Sequence, residues 1–292
     1  MKPPISGVLT LAVSTVAIAL VLAGCGIGGS SSAVSLGHGS GHISATTKIS
    51  TFKTPSSTDQ AAIGPSSSEL VDETLQWLSS RTSLSLAGPV LLPNPTSGDW
   101  AAQAQGNAQG YQIKLWNVIQ PLGINSPYLA EDTRPTSPVV SFGIMQLSSG
   151  MLAPGAPGYL TPLQQHNLSW MTLSPTNGTP VILGTAVTGF RYTAVQGTVV
   201  DWAMGAWTLQ VSGDSSGQEI QVAKPVISYL KTHKLPADPG ILAIRLTGNG
   251  ATTMIDWING RQLSWVQYAS DSGTNTVGAC AMAVSWRILP DR

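Results

Sequence analysis

One segment has the spacing of the turn that carries the nucleophile in serine hydrolases. Gly213-Asp214-Ser215-Ser216-Gly217 matches Gly-x-Ser-x-Gly, in which the serine stands at a sharp turn between a strand and a helix. Such an enzyme also needs a histidine and a carboxylate within hydrogen-bonding reach of the serine. Only His166 and His233 fall inside the predicted domain, and His233 ends the helix that we predict after the motif. In a chain this rich in Ser and Gly a chance match is favoured, so we predict no catalytic residue.

Two aspartates occupy equivalent positions in a weak internal repeat. Residues 200–205 align with residues 255–260, and the alignment matches Asp201 with Asp256. If the two side chains converged, they could form a carboxylate pair for acid–base chemistry. Successive strand residues face opposite sides of a sheet, so each aspartate lies away from the tryptophan that follows it. We therefore favour solvent-facing positions for both aspartates.

The chain contains nine Trp but only three Phe. Large exposed aromatic side chains mark binding sites, because a flat ring can stack on a sugar or insert among lipid tails. Trp100 and Trp170 stand in loop-like surroundings, and we predict that these two bind a ligand. The other strand-like tryptophans are predicted to fill the core of a sheet: Trp202, Trp207, Trp257 and Trp265.

Charged residues are scarce. Asp, Glu, Lys and Arg make up 10% of the chain, in equal numbers of 14 basic and 14 acidic residues. A nucleic-acid-binding protein needs a clustered basic surface, and the sequence has none, so we expect no nucleic-acid partner. The sequence also lacks the zinc, calcium-loop and phosphate-loop motifs, and we expect no metal or cofactor.

Local patterns predict the elements that would position these side chains. Ser66 and Glu69 fit a capping box, and apolar residues on one helical face predict a helix from there to about Arg81. Alternating polarity predicts a strand over residues 111–115 and another over 140–144. Residues 151–180 are rich in Pro and Gly and predict loops, with one short helix over residues 163–170.

The internal repeat predicts the architecture of the C-terminal half. Each copy has the pattern of strand, turn, strand, loop and helix, with helices at about 218–233 and 275–287. Asn259-Gly260 is a strong hairpin signal, because both residues tolerate a positive φ. Pro225 is compatible with the first helix only near its start. We predict an α+β fold, in which an antiparallel sheet built from repeated hairpin-plus-helix units packs its helices on one face.

The N-terminus has the pattern of an export signal. Lys2 precedes an apolar, uncharged run over residues 8–22, which is short for a membrane span and suits a signal peptide. The run ends in Leu22-Ala23-Gly24-Cys25, which resembles the lipobox of bacterial lipoproteins. That resemblance implies cleavage before Cys25, lipidation of its thiol and an anchor on the extracytoplasmic face of the cell membrane. The alternative is an uncleaved anchor helix with an incidental cysteine.

Composition divides the chain into three parts. We predict a signal peptide at 1–24, a Ser/Gly-rich disordered tether at 25–67 and a single α+β domain at 68–292. The domain has a candidate subdivision near residue 180 and duplicated units at about 197–234 and 251–288. Cys280 has apolar neighbours, so we interpret it as a buried, unreactive thiol.

The domain resembles a group of uncharacterised surface lipoproteins of Gram-positive bacteria. The resemblance spans residues 69–292, with a more distant likeness to lipoprotein-carrier half-barrels, and neither implies a catalytic residue. The motifs that carry it are Leu91-Leu92-Pro93, the Tyr111 strand with Ile124-Asn125-Ser126, the two Trp-x-x-Gly hairpins, and the 226–230 segment before Leu235-Pro236.

These observations favour a lipid-anchored extracytoplasmic binding or interaction module with an envelope glycan, lipid or protein as its partner. A cell-envelope hydrolase and a structural or regulatory partner of another envelope protein remain alternatives. A closed apolar cavity would favour a lipophilic ligand, and a flat apolar patch would favour a protein partner. A cleft that joins His166 or His233 to carboxylates would favour an enzyme.

Overall fold

The structure is a computed structural model. It describes residues 67–95, 98–129, 138–148, 163, 166, 171, 178–195, 197–214, 217–236, 239–248, 250–270 and 276–289. The predicted signal peptide, Cys25, the rest of the predicted tether up to Ser66, Trp170 and Ser215 lie outside these residues, whereas Ser67, the last residue of the predicted tether, is the first residue of a helix.

The described residues form three complete α-helices, one 3-10 helix (Pro127–Leu129) and twelve strands. Leu163 and His166, inside the short helix predicted over residues 163–170, are also helical. The helices are α1 (Ser67–Leu78), α2 (Gln218–Leu230) and α3 (Thr276–Val284). The strands are β1 (Ala87–Pro89), β2 (Asp99–Asn107), β3 (Gly110–Val118), β4 (Val140–Gln146), β5 (Thr179–Gly184), β6 (Val187–Ala194), β7 (Gly197–Met204), β8 (Trp207–Gly213), β9 (Gly240–Thr247), β10 (Gly250–Asn259), β11 (Gln262–Ser270) and β12 (Trp286–Ile288).

Ten strands form one large sheet in the order β2-β3-β4-β11-β10-β9-β8-β7-β6-β5, and β1 pairs separately with β12. Neighbouring strands are antiparallel except β8 and β9, which are parallel. Helix α2 connects these two, because a parallel neighbour can be reached only by a crossover connection. The predicted α+β class and the largely antiparallel sheet are confirmed.

The main core lies on one face of this sheet. Val71, Leu75 and Leu78 of α1 are buried there, so the predicted first helix is confirmed. Residues of α2 and α3 enter the same apolar cluster. Trp202, Trp207 and Trp257 are 4%, 5% and 2% exposed within it, as predicted for core-filling tryptophans.

The predicted strands over 111–115 and 140–144 are also confirmed. In β3, Tyr111, Ile113 and Leu115 are buried and alternate with partly exposed residues. Strand β4 is buried from Val140 through Ile144 on both faces. Its alternate residues are therefore covered too, which the sequence pattern did not predict.

Two hairpins share one turn geometry. The loop between β7 and β8 is Gly205 and Ala206, and the loop between β10 and β11 is Gly260 and Arg261, as the closing pairs Met204–Trp207 and Asn259–Gln262 define. Gly205 and Gly260 have φ values of 62° and 60°. The predicted Asn259-Gly260 hairpin therefore exists, but its loop starts one residue later and only the glycine has a positive φ.

Both predicted C-terminal helices differ from expectation in detail. Pro225 lies inside α2 rather than near its start; its ring nitrogen cannot donate the helical hydrogen bond to Gln221. Helix α3 ends at Val284, because the chain turns into β12, whose Trp286 pairs with Pro89. Within the described ranges, none of the helices has the length and hydrophobicity of a membrane span.

Candidate ligand-binding cleft

A row of paired residues crosses the sheet on the face opposite the three helices. Strand register places these residues side by side, and we call them the Trp265 row: Gln105, Gln112, Gly143, Trp265 and Asp256. Directly paired residues project to the same side of a sheet. From one strand to the next, five neighbouring strands therefore present two amides, a glycine without a side chain, an indole and a carboxylate on this face.

Gly143 leaves the space that the indole of Trp265 occupies. A Cβ atom built on Gly143 would lie 2.5 Å from Cη2 and 2.6 Å from Cζ2 of Trp265. The ring therefore lies over the backbone of β4 and points toward β3. Trp265 is partly exposed and packs at the edge of a small apolar cluster with Leu147, Leu163 and Leu263.

An open cleft of about 910 Å³ lies beside this ring. Its volume falls in the range of small-molecule sites, roughly 300–1,000 Å³. The β2–β3 turn, the end of β4 and the β10–β11 turn surround it. Its walls are formed by Gln105, Gly106, Asn107, Gln109, Gly110, Tyr111, Gln112, Ile144, Met145, Gln146, Leu147, Ser148, Arg261 and Trp265.

Side-chain amides dominate the polar lining. Nε2 of Gln105 donates to Oε1 of Gln112 at 3.2 Å, which leaves the carbonyl of Gln105 and the amino group of Gln112 available. Asn107 accepts from the backbone N–H groups of Gln109 and Gly110 and so fixes the β2–β3 turn. Within the described part of the chain, the side chains of Gln109 and Gln146 make no hydrogen bond, so they can serve a ligand.

A histidine–carboxylate pair lies next to Trp265. Nδ1 of His166 donates to Oδ2 of Asp256 at 2.5 Å; the histidine side chain is 28% exposed and the aspartate is fully buried. Burial lowers the pKa of His166, but the hydrogen bond to Asp256 and its negative charge raise it more. The net pKa of His166 lies above its usual 6.5, which favours the imidazolium beside the buried carboxylate.

This pair supports the position of the Trp265 ring. The centroids of the His166 and Trp265 rings are 5.8 Å apart, with the planes tilted by 48°. A cationic ring within about 6 Å of an indole attracts it electrostatically. His166 is not among the residues that line the cleft. The pair therefore acts on the cleft indirectly: Asp256 binds His166, and His166 lies beside the indole that forms the cleft wall.

The two aspartates are not arranged as predicted. They do lie on the sheet face opposite Trp202 and Trp257, but neither faces solvent, because Asp201 is 7% exposed and Asp256 is fully buried. They also cannot form a carboxylate pair. Their strands, β7 and β10, are separated by β8 and β9, which puts the two backbones at least about 14 Å apart.

Trp100 lies in strand β2 rather than in a loop. It is half-buried against the main core, and its indole N–H donates to the carbonyl of Pro93 at 3.1 Å. Register places Trp100 opposite Asn117, on the helix-covered face and away from Trp265. Its ligand-binding role stays a prediction, as does that of Trp170, which lies outside the described residues.

The remaining candidates are not part of the cleft. His233 is exposed and stacks on Tyr229 with ring centroids 4.0 Å apart. Cys280 is fully buried in α3, and burial raises the pKa of its thiol to about 12. The interpretation of Cys280 as a buried, unreactive thiol is therefore supported by its burial. Within the described ranges, no three His, Cys, Asp or Glu side chains are grouped to hold a metal ion.

Sequence reasoning assigned Trp265 to the wrong face. It grouped Trp265 with Trp207 as a core residue, but alignment on the two glycine turns matches Trp265 with Gln210, whose side chain faces away from the helices. Counting residues from the turn would have separated the two tryptophans. The pairing of Trp265 with Gly143 spans more than a hundred residues, and nothing local in the sequence signals it.

No protein-family model matches the chain, and no curated protein matches it. The site must therefore be interpreted from its own geometry.

Proposed function

We propose that the protein is a lipid-anchored binding module on the extracytoplasmic face of a bacterial membrane. The lipid on Cys25 holds the chain at the membrane surface. The tether at 25–67 lets the folded domain reach away from it. The cleft beside Trp265 binds a small polar ligand without transforming it.

The cleft wall carries this proposal. An indole lies over a glycine that is needed to admit it, beside amides with unused hydrogen-bonding groups. Sites for small ligands combine such an apolar surface with a few polar groups that fix orientation. A lipid tail would require a closed apolar cavity. This cleft is open, and its walls carry several side-chain amides.

The same proposal includes the origin of the sheet. Strands β7 and β8 with α2, and β10 and β11 with α3, would be two copies of one hairpin-plus-helix unit. The two Gly-x turns with matching φ support this interpretation. In this scheme, Trp265 of the second copy occupies the position of Gln210 in the first copy. Nε2 of Gln210 donates to the hydroxyl of Tyr192.

Ligand binding can be tested by thermal unfolding of the full chain with envelope glycans, peptidoglycan fragments and lipid vesicles. A ligand at 100 times its dissociation constant adds about 2.7 kcal/mol of stability, which raises the Tm by roughly 5 °C or more. Trp265→Ala should abolish the rise. Trp100→Ala tests the alternative site that the sequence predicts at Trp100; because Trp100 lies on the other face, a ligand in the Trp265 cleft should keep the rise in this variant.

The result would contradict the proposal in two cases. The first is the absence of any shift with all classes of compound. The second is a shift that survives Trp265→Ala, which would place the ligand elsewhere. A shift lost in Trp100→Ala alone would move the site to the helix-covered face.

A cell-envelope hydrolase is the second candidate, and the His166–Asp256 pair favours it. A buried carboxylate that orients a partly exposed imidazole and favours its protonated form is the arrangement of a general acid. The imidazolium would give its proton to the leaving oxygen of an ester or glycoside bound next to it as the scissile bond breaks, and it would recover a proton from the attacking water. Hydrolysis of a bound ligand that stops in His166→Gln, with binding retained, would support this candidate over the binding module.

A further inference from the structure

We propose that the ligand of the Trp265 cleft is an uncharged saccharide chain. This inference rests on the proposed binding function and adds the chemical class of the ligand. It is drawn from three properties of the walls: the character of their hydrogen-bonding groups, their charge and the indole surface.

The hydrogen-bonding groups of the cleft match hydroxyls. A sugar hydroxyl both donates and accepts, and a carboxamide offers both roles on one side chain. Gln105 and Gln112 already form a ladder in which one carbonyl and one amino group stay available. Gln109 and Gln146 add further amides to the wall. A row of such groups can follow successive hydroxyls along a chain.

The charge of the cleft disfavours strongly ionic ligands. Among the described lining residues Arg261 is the single cation, and none of them carries a carboxylate. Recognition of phosphate or of an acidic polymer relies on clustered Arg and Lys. A cationic ligand would need an acidic partner, and the buried carboxylate of Asp256 is occupied by His166.

The indole supplies the apolar part of the contact. A sugar ring presents C–H groups on its face, and these pack on a flat aromatic surface. Trp265 lies over the β4 backbone because Gly143 has no side chain, so its ring is positioned before a ligand arrives. Preorganisation of this kind reduces the entropic cost of binding.

An extended peptide is disfavoured as the occupant. A peptide commonly binds by adding a strand to a sheet edge, and β2 is the edge strand beside the cleft. On that edge, the backbone N–H of Asn125 donates to the carbonyl of Ala102, and its side-chain oxygen accepts from the N–H of Ala104. These edge groups are already paired within the chain.

The test is titration of the full chain, followed by Trp fluorescence and calorimetry, with cellotetraose, chitotetraose and tetragalacturonate. We expect at least one neutral tetrasaccharide to bind, and to bind about equally in low salt and in about 0.5 M salt, because screening weakens only ionic contacts. Gln112→Leu and Trp265→Ala should each weaken that binding about tenfold or more. Gln267→Leu is the matched control; Gln267 lies on the same face, outside the cleft, and should have no effect.

The outcomes separate this inference from the proposed function. Preferential binding of tetragalacturonate, lost in high salt and in Arg261→Gln, would overturn the neutral saccharide class while leaving a binding module. A thermal shift with only the lipid vesicles of the unfolding panel, abolished by Trp265→Ala, would do the same. If no compound binds, or if the affinity is the same in Trp265→Ala as in the wild type, the proposed function fails as well.

Discussion

At the scale of single residues, the cleft depends on the absence of a side chain at position 143. A Cβ there would lie 2.2 Å from the carbonyl oxygen of Tyr111 and 2.5 Å from the Trp265 ring. We expect Gly143→Ala to lower the free energy of unfolding by about 1 to 3 kcal/mol and to weaken ligand binding about tenfold.

Gly189→Ala provides the matched control for this prediction. Its Cβ would meet the carbonyl of Asp201 and the side chain of Leu183, each at 2.7 Å, in β6 and far along the sheet. It should therefore destabilise the fold comparably, measured by urea unfolding, while affinity per folded molecule stays unchanged. Equal losses of affinity in both variants would show that Gly143 acts only through stability.

The His166–Asp256 pair predicts a dependence of stability on pH. Because the pKa of His166 is raised in the folded state, the folded protein holds the proton more tightly than the unfolded chain does. The stabilisation is complete below about pH 6.5, the unfolded value. It is lost as pH rises through the folded pKa, with a slope no steeper than about 1.4 kcal/mol per pH unit.

Urea unfolding of the wild type and His166→Gln from about pH 5 to 9 measures this contribution. The difference in stability between the two proteins should shrink as pH rises above about 6.5. His233→Gln, at an exposed histidine outside the pair, should follow the wild type throughout. A difference that stays constant with pH would mean that His166 contributes packing rather than charge.

At the scale of elements, the two hairpins depend on their turn glycines. Gly205 and Gly260 have positive φ, and a Cβ at either position would have no atom within 4 Å, so an alanine there meets a conformational penalty and no clash. We expect Gly205→Ala and Gly260→Ala each to cost about 1 to 2 kcal/mol. Gly248→Ala, in the β9–β10 turn and outside the left-handed range of φ, should be neutral or slightly stabilising. Thermal unfolding of the three variants is the measurement, and a large loss in Gly248→Ala would refute the conformational explanation.

The elements themselves could be predicted where their signal is local. The helix face of Val71, Leu75 and Leu78 and the alternation in β3 each require only a few consecutive residues. The neighbours of a strand could not be predicted in the same way. Asp256 is buried because His166, 90 residues earlier, returns to cover it. A rule that places alternate polar residues in solvent has no means of detecting that cover.

At the scale of the whole molecule, the proposed function depends on two separate features. The sheet holds a cleft whose walls come from β2, β3, β4 and β11. The proposed localisation at the membrane depends on a short motif around Cys25, which lies outside the described residues. The cleft could be recognised only in three dimensions, because its walls come from distant parts of the chain. The sequence predicts the membrane localisation, because the signal for it is a short local motif.

The proposed lipid anchor can be tested on the two cysteines of the chain, which lie in different sequence surroundings. We expect the mature protein, expressed in a bacterium that processes lipoproteins, to partition into the detergent phase of Triton X-114. Two or more acyl chains give stable membrane attachment where one would not. Cys25→Ala should shift the protein to the aqueous phase or leave it unprocessed and larger on a gel.

Cys280→Ala is the control for this experiment. This thiol is fully buried and its pKa is raised to about 12, so its removal should leave the partitioning unchanged. If Cys25→Ala still enters the detergent phase at the mature size, membrane attachment does not depend on that cysteine, and the anchor proposal fails.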